Sequence, residues 1–298
     1  MRDVAVVSYS TAPNVRRDLD RNEVEILMPV LLDVRNKVGV TREQIDFVVH
    51  GSTDFQAGMP FSFVAALDAY GSWPPIKESH VEMDGAWALY EAWIKIQTGE
   101  IDTALVYAYG KSSMGDITDV LRLQLDPYLV SPLGVDAVSL AALQARAWLD
   151  AGKGTQADMA AVAVRDRAHG KDNPNAQVTG DFDVDTLLAA PEWVAPLRKA
   201  DCSPISDSAC AILLAADDKA RAIVERPAWI TGIDHRVETQ TLGLRDLTVS
   251  ESTRTAARNA GAEGTFDIAE LHAPYTHQSL IVEEAIGLGA GTTVNPSG

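Results

Sequence analysis

HVEMDGAWALYEAWIKIQTGEIDTALVYAYG, residues 80–110, is the stretch on which the fold reading turns. A short strand at 80–83 runs into a sharp turn at Asp84-Gly85. An amphipathic helix over 85–98 follows, and an apolar strand at 103–109 closes the unit. In an α/β protein the junction between strand end and helix start is where free N–H groups and the helix dipole stabilise negative charge. A Cys at such a turn has its thiolate stabilised in the same way. This turn carries none and offers Glu82, Met83, Asp84 and Gly85. Two readings of its carboxylates stand: catalytic groups, or ordinary helix caps.

Working outward, residues 4–10 form an apolar run suited to a buried strand. Residues 23–38 carry a helical stripe of Val24, Leu27, Leu31, Val34 and Val38, with Val30 alongside. Pro29 lies inside that stripe, so the helix either starts or kinks there. A strand at 45–52 and a helix at 61–70 precede the quoted stretch. Alternation at this spacing predicts a parallel sheet with right-handed crossovers. From 112 to 200 the character changes: helices are expected at 136–151 and 156–169, set among polar loops containing Pro and Gly. This excursion either shapes a binding cleft or simply connects. Alternation resumes with strands at 208–215, 229–238 and 268–272 and helices at 218–223, 250–260 and 278–287, which hints at an internal duplication.

At 298 residues the chain can bury a sizeable core, and 46% hydrophobic with 22% charged residues is ordinary for a globular protein. A net charge of −17 argues against nucleic acid or an anionic membrane surface as the main partner. Arg122, Arg165, Arg167 and Lys171 are candidates for a local basic pocket, weighed against scattered solvated charges. Cys202 and Cys210 lack metal-ligand spacing, so no metal site is expected, and their scarcity suggests a reducing compartment. The N-terminal stretch is too short and too polar for a signal peptide. No run approaches the roughly 18 apolar residues of a membrane helix. A cytoplasmic location is the expectation.

Three ordered segments carry a family resemblance. VAPLRKADCSPISDSACAILLAADDKA (194–220) resembles the thiolase segment in which Pro-Leu is followed by a Cys, an Ile-Ser-Asp-Gly and a strand rich in Ala and Val. Residues 80–114 are similar to the thiolase nucleophile turn, helix and following strand. ELHAPYTHQSLIVEEAIGLGAGTTVNPSG (270–298) resembles the family's acid-His-acid-Phe segment, its helix ending in Glu-Ala-Leu-Gly-Leu, and its Val-Asn-Pro-Ser-Gly. Within the superfamily the likeness is to the sterol carrier protein x thiolases and the bacterial lipid-transfer-protein thiolases. The resemblance implies an α/β fold, thiolase-like and layered αβαβα, from two similar halves. Residues 1–115 and 202–224 would form the N-terminal half, 116–201 the loop domain and 225–298 the C-terminal half. It implies a CoA thioester of a steroid or related lipid as substrate, with no bound cofactor. It also implies a homodimer paired through strand 103–109, and a small OB-fold partner protein.

The departures bear on chemistry. With Gly85 and Ala88 matched to the family's Ser-Gly-x-x-Ala, the nucleophilic Cys falls near Glu82. Cys202 matches a structural cysteine of the sterol branch, and Cys210 reads as a small core residue. Ile205-Ser206-Asp207-Ser208 stands where the family has Ile-Ser-Asp-Gly, with Asp207 orienting the turn. The sequence ends at Gly298, where a thiolase supplies its second catalytic Cys and Gly-His-Pro loop. The second half is therefore expected to be incomplete, through a shortened chain or a missing tail. Thiolysis needs a thiolate to accept the acyl group. Retro-aldol cleavage of a 3-hydroxyacyl-CoA needs only a base, an oxyanion donor and an acid. His272, Tyr275 and His277 cluster at a strand–helix junction and can supply such groups. His272 matches the family's motif histidine, which helps form an oxyanion site; Tyr275 stands where the family has Phe; His277 has no counterpart. With Glu82 and Asp84 they are the candidate catalytic residues. His50, His80 and His235 read as core or edge groups and His169 as a surface one. Retro-aldol cleavage leads, beside two alternatives: a non-catalytic subunit that binds acyl-CoA or a partner, and a plain thiolase.

Overall fold

The computed structural model describes residues 1–57, 59–262 and 264–298. Its first elements are β1 (Val4–Thr11), α1 (Glu23–Asn36), β2 (Phe47–Ser52), α2 (Asp54–Ala57), α3 (Phe63–Tyr70), β3 (Glu78–Glu82), α4 (Gly85–Gln97) and β4 (Thr103–Gly110). The excursion contributes α5 (Ile117–Leu123), α6 (Ala137–Asp150), α7 (Gln156–His169), α8 (Val184–Ala189), β5 (Glu192–Val194) and β6 (Leu197–Arg198). Then come β7 (Ser208–Ala216), α9 (Asp217–Ile223), β8 (Ala228–Trp229), α10 (Glu251–Asn259), β9 (Ile268–Ala269), α11 (Thr276–Ile286) and β10 (Thr293–Val294). The chain divides into two compact units. One is Met1–Ile117 with Ile205–Thr231; the other is Thr118–Pro204 with Gly232–Gly298.

The first unit is built on a six-stranded sheet of order β3-β2-β4-β7-β1-β8. β2 pairs in parallel with β3 and β4, but β7 runs antiparallel to both β4 and β1. The expected parallel sheet is therefore a mixed one. Parallel neighbours need a crossover, which α2, α3 and α4 supply for β2, β3 and β4. β7 returns only after the long excursion, so the local alternation does not set its direction. Every residue of β2 is buried, as a strand covered on both faces requires. One face packs Ile26, Leu27, Leu31 and Val34 of α1 against Leu105, Tyr107 and Leu213. The other packs Ala88, Ala92 and Ile96 of α4 against Val49, Val106 and Leu214. α1 starts at a capping box: Asn22 accepts from the Glu25 N–H and Glu25 from the Asn22 N–H. That box sets the helix start, and Pro29 lies inside the helix.

In the second unit α6, α7 and α11 enclose a core of Ala141, Ala145, Trp148, Met159, Leu197 and Ile281. β9, α11 and β10 form one strand–helix–strand unit with its two strands parallel. This is the extent of the second alternation. The strand expected at 229–238 is limited to Ala228–Trp229, paired with Val6 and Ala5 of β1. Ile230 still donates its N–H to the Val4 carbonyl at 2.8 Å. Beyond it Asp234, His235 and Arg236 interrupt the apolar run, and the ladder ends. The strand expected at 268–272 likewise pairs only at Ile268–Ala269. Among the described residues no helix is long and apolar enough to cross a membrane.

Candidate functional site

The Asp84 turn of the first unit is a capped helix start. The Asp84 carboxylate accepts from the N–H groups of Ala86 and Trp87 at 3.0 and 3.1 Å. Those donors are therefore already engaged, and the capping reading of Asp84 describes its geometry. Glu82, at the end of β3, accepts from the Asp54 N–H at 2.7 Å through Oε1, and its Oε2 stands 3.8 Å from His80 Nε2. A cavity of about 120 Å³ lies at the strand ends beside Gly51, Thr53, Asp84, Gly85 and Lys111. Asp84→Ala is expected to lower stability by about 1 kcal/mol, with Asp84→Asn within a few tenths, in denaturant unfolding. Equal losses in both variants would mean that charge, not capping, is what the turn needs.

Sequence reading missed the layer beneath this turn. In-register pairing sets His50 of β2 opposite His80 of β3 and Tyr107 of β4. His50 is 2% exposed and stacks on Tyr107 with ring centroids 4.9 Å apart. Neither His50 nitrogen nor the Tyr107 hydroxyl has a partner among the described residues. Burial drives His50 down to about 3, so its ring is neutral. His80 Nε2 lies 3.1 Å from the Ser52 hydroxyl, which exchanges a 2.8 Å hydrogen bond with Ser62. The signal available in the sequence was the i,i+2 spacing of His50 and Ser52, which puts both on one face of β2.

Two cysteines remain to be placed. Cys210, read as a core residue, keeps solvent-exposed surface on β7, because its cross-strand neighbours Thr11 and Ala108 are small. Protein crowds it nonetheless, and that desolvation, with the Asp84 carboxylate, pushes its thiol up. Cys202 in the second unit donates to the Arg198 carbonyl at 3.6 Å, and burial pushes its thiol up to about 11. Neither is an activated thiolate. Asp207 is fully buried and accepts from the N–H groups of Asp18 and Ser113 and from the Ser113 hydroxyl, so it ties three segments together.

The second unit holds the larger cavity, about 1000 Å³, walled by Leu125, Leu129, Leu140 and Leu247 with Gln144, Arg245, Tyr275 and Gln278. Tyr275 is the N-cap residue of α11, and its segment is strapped in place. Cys202 pairs with Tyr275 in an antiparallel bridge, Ser203 N–H donates to the Pro274 carbonyl at 2.8 Å, and Thr276 donates to Asp201 at 2.9 Å. Burial, above all, raises the Tyr275 phenol. His277 is fully buried, with Nε2 3.2 Å from Gln144 Oε1, and burial drives it down to about 4. The structure thus brings Tyr275 and His277 together, ring centroids 6.1 Å apart, while the His272 side chain is exposed. Glu82 and Asp84 belong to the first unit.

The cations considered for a basic pocket are engaged elsewhere. Arg122 pairs with Asp119, Arg165 with Asp166 and Glu283, and Lys171 with Asp181. Arg167 donates to the Ala200 carbonyl and stacks over Phe182. His169, expected at the surface, is half-buried and hydrogen-bonds the Asn295 carbonyl.

No family model matches the chain. It is 27% identical over 300 residues to an acetyl-CoA acetyltransferase of Methanothermobacter thermautotrophicus, covering 96% of this chain and 78% of that one. It is 25% identical over 231 residues to the 17-hydroxy-3-oxo-4-pregnene-20-carboxyl-CoA lyase of Mycobacterium tuberculosis, covering 74% and 59%. Among solved structures, the Ltp2-ChsH2(DUF35) aldolase superposes with a TM-score of 0.82 at 17% identity, covering 99% of this chain and 84% of that one. With three ordered sequence segments of the same character and a fold alike over nearly its whole length, the chain is similar to proteins of the thiolase superfamily.

Proposed function

We propose that this protein, of the lipid-transfer branch, cleaves a carbon–carbon bond in a 3-hydroxyacyl-CoA of a steroid or related lipid by retro-aldol chemistry. The observation that carries the reading is Tyr275 on the wall of a large leucine-lined cavity of the second unit, in a chain whose Asp84 turn carries no nucleophile. An apolar cavity of this size suits a bulky acyl group. Cleavage takes the proton from the 3-hydroxyl, breaks the Cα–Cβ bond, releases a ketone or aldehyde, and protonates the enolate thioester left behind. Tyr275, its phenol raised, is the proton donor to that enolate. His272 supplies the oxyanion donor, and His277 braces Gln144. In the first unit Asp84 is occupied as a cap, and Glu82, with Oε1 engaged by the Asp54 N–H, stays a candidate base on the resemblance alone. Assembly as a homodimer with a small OB-fold partner, in the cytoplasm, completes the proposal.

A non-catalytic subunit is the second reading, and it is favoured by the consumption of the α4 N–H groups by Asp84. Mass spectrometry after incubation with a branched 3-hydroxyacyl-CoA separates the two. Ketone or aldehyde with a shortened acyl-CoA, formed without free CoA, is the expected result. No turnover while a partner stays bound would transfer the assignment to the subunit reading. Plain thiolysis requires a cysteine, so the doubly substituted Cys202→Ser, Cys210→Ser protein is expected to keep its turnover within about two-fold, since both thiols are held protonated. Collapse of turnover, with stability retained, would reinstate an acyl-cysteine.

A further inference from the structure

The hydrogen bonds around Gln144 run in one direction. The Leu247 carbonyl can only accept, so the group facing it at 3.2 Å is the Gln144 amide N–H. Gln144 Oε1 then faces the other way, 3.2 Å from His277 Nε2 and 2.9 Å from Gln278 Nε2. An amide oxygen has two lone pairs, and both are used here. His277 therefore carries its ring proton on Nε2, and Gln278 turns its NH₂ toward Gln144. Burial keeps the imidazole neutral, so it has one ring proton to give, and its buried Nδ1 has no partner among the described residues. What remains is Gln278 Oε1, which makes no hydrogen bond among the described residues, on a side chain that lines the large cavity.

We infer that Gln278 is a specificity-determining acceptor, oriented by Gln144 and braced by His277, and that the cavity selects an apolar ligand bearing a hydroxyl group. A ligand offering only acceptors would leave that oxygen unpaired in a largely leucine wall, which is how a site built for a hydroxyl rejects its analogue. The inference rests on the lyase reading only in taking this cavity as the acyl site. His277, which has no counterpart in the family motif, is a positioning residue here and need not touch the ligand.

The test uses a bicyclic alcohol and its methyl ether, titrated into the full chain and followed by NMR chemical shifts. The alcohol is expected to bind about ten-fold tighter than the ether. Gln278→Met should bring the two together by weakening the alcohol alone. Gln144→Met leaves Gln278 in place but free to turn, and the contrast should shrink there too. A contrast unchanged in Gln278→Met, or no preference in the unsubstituted protein (binding of neither included), overturns the inference. A second measurement needs neither variant nor ligand: long-range proton–nitrogen spectra should show His277 as the Nε2–H tautomer at neutral pH. An Nδ1–H tautomer would mean that Gln144 presents its NH₂ and that the polarity is reversed. A protein that shows the alcohol preference yet releases no ketone from a 3-hydroxyacyl-CoA loses the lyase reading and keeps this one.

Discussion

Tyr275→Phe is expected to lower kcat for 3-hydroxyacyl-CoA cleavage by about 10²- to 10⁴-fold, the range for removing a positioned acid. KM should change little, because the ring stays and only the hydroxyl is lost. The fold should hold as well: Tyr275 caps α11 through its backbone, and the strap from Asp201, Cys202 and Ser203 engages neighbouring backbone and Thr276 rather than the phenol. The pH profile adds a second handle. Burial raises the phenol above its ordinary value of 10, so the acid remains protonated through neutral and mildly alkaline pH. An alkaline limb set by Tyr275 lies above that value and vanishes in the variant. A fall in kcat of less than three-fold, with unchanged Tm, would remove Tyr275 from the chemistry and leave His272 as the proton donor to be tested.

How far the sequence reached follows from which forces are local. α4 and α1 were legible because amphipathic spacing acts within a few residues, as does capping at Asp84, whereas the Asn22–Glu25 box that starts α1 went unread. β2 was legible because a strand buried on both faces has to be apolar almost throughout. The antiparallel direction of β7 was not, since it depends on where a long excursion returns to the sheet. The same division holds in the site. The proton-transfer types of Tyr275 and His277 are visible as letters, but the Gln144 amide that receives the His277 proton comes from another helix, 133 residues away. His50 and Tyr107 meet only through strand register. The exposure of Cys210 likewise follows from the small size of cross-strand neighbours that no local window contains.

Gly51→Ala is expected to be the most damaging single-atom change in the first unit, costing about 3 kcal/mol. A Cβ built on Gly51 would stand 2.1 Å from the Asp84 carbonyl oxygen, 2.3 Å from its carbon and 2.8 Å from the Gly85 nitrogen. All three are backbone atoms, so no side chain can swing aside. Gly51 itself is held on both edges, opposite Val81 in β3 and Ala108 in β4, so the strand cannot retreat. The strain must therefore be relieved by lifting the Asp84 turn, which carries the α4 cap and borders the small cavity. Stability and site geometry are expected to fail together. Gly99→Ala is the control: its φ of +74° makes alanine unfavourable, but nothing lies within 4 Å of the added carbon. It should cost only about 1 kcal/mol. Urea midpoints at constant m measure both. Equal losses would show that the Asp84 turn yields to the added carbon at little cost. A much larger loss at Gly51 assigns it instead to the close approach that lets a strand–helix turn rest directly on the sheet, where a catalytic or capping carboxylate is held by packing from below.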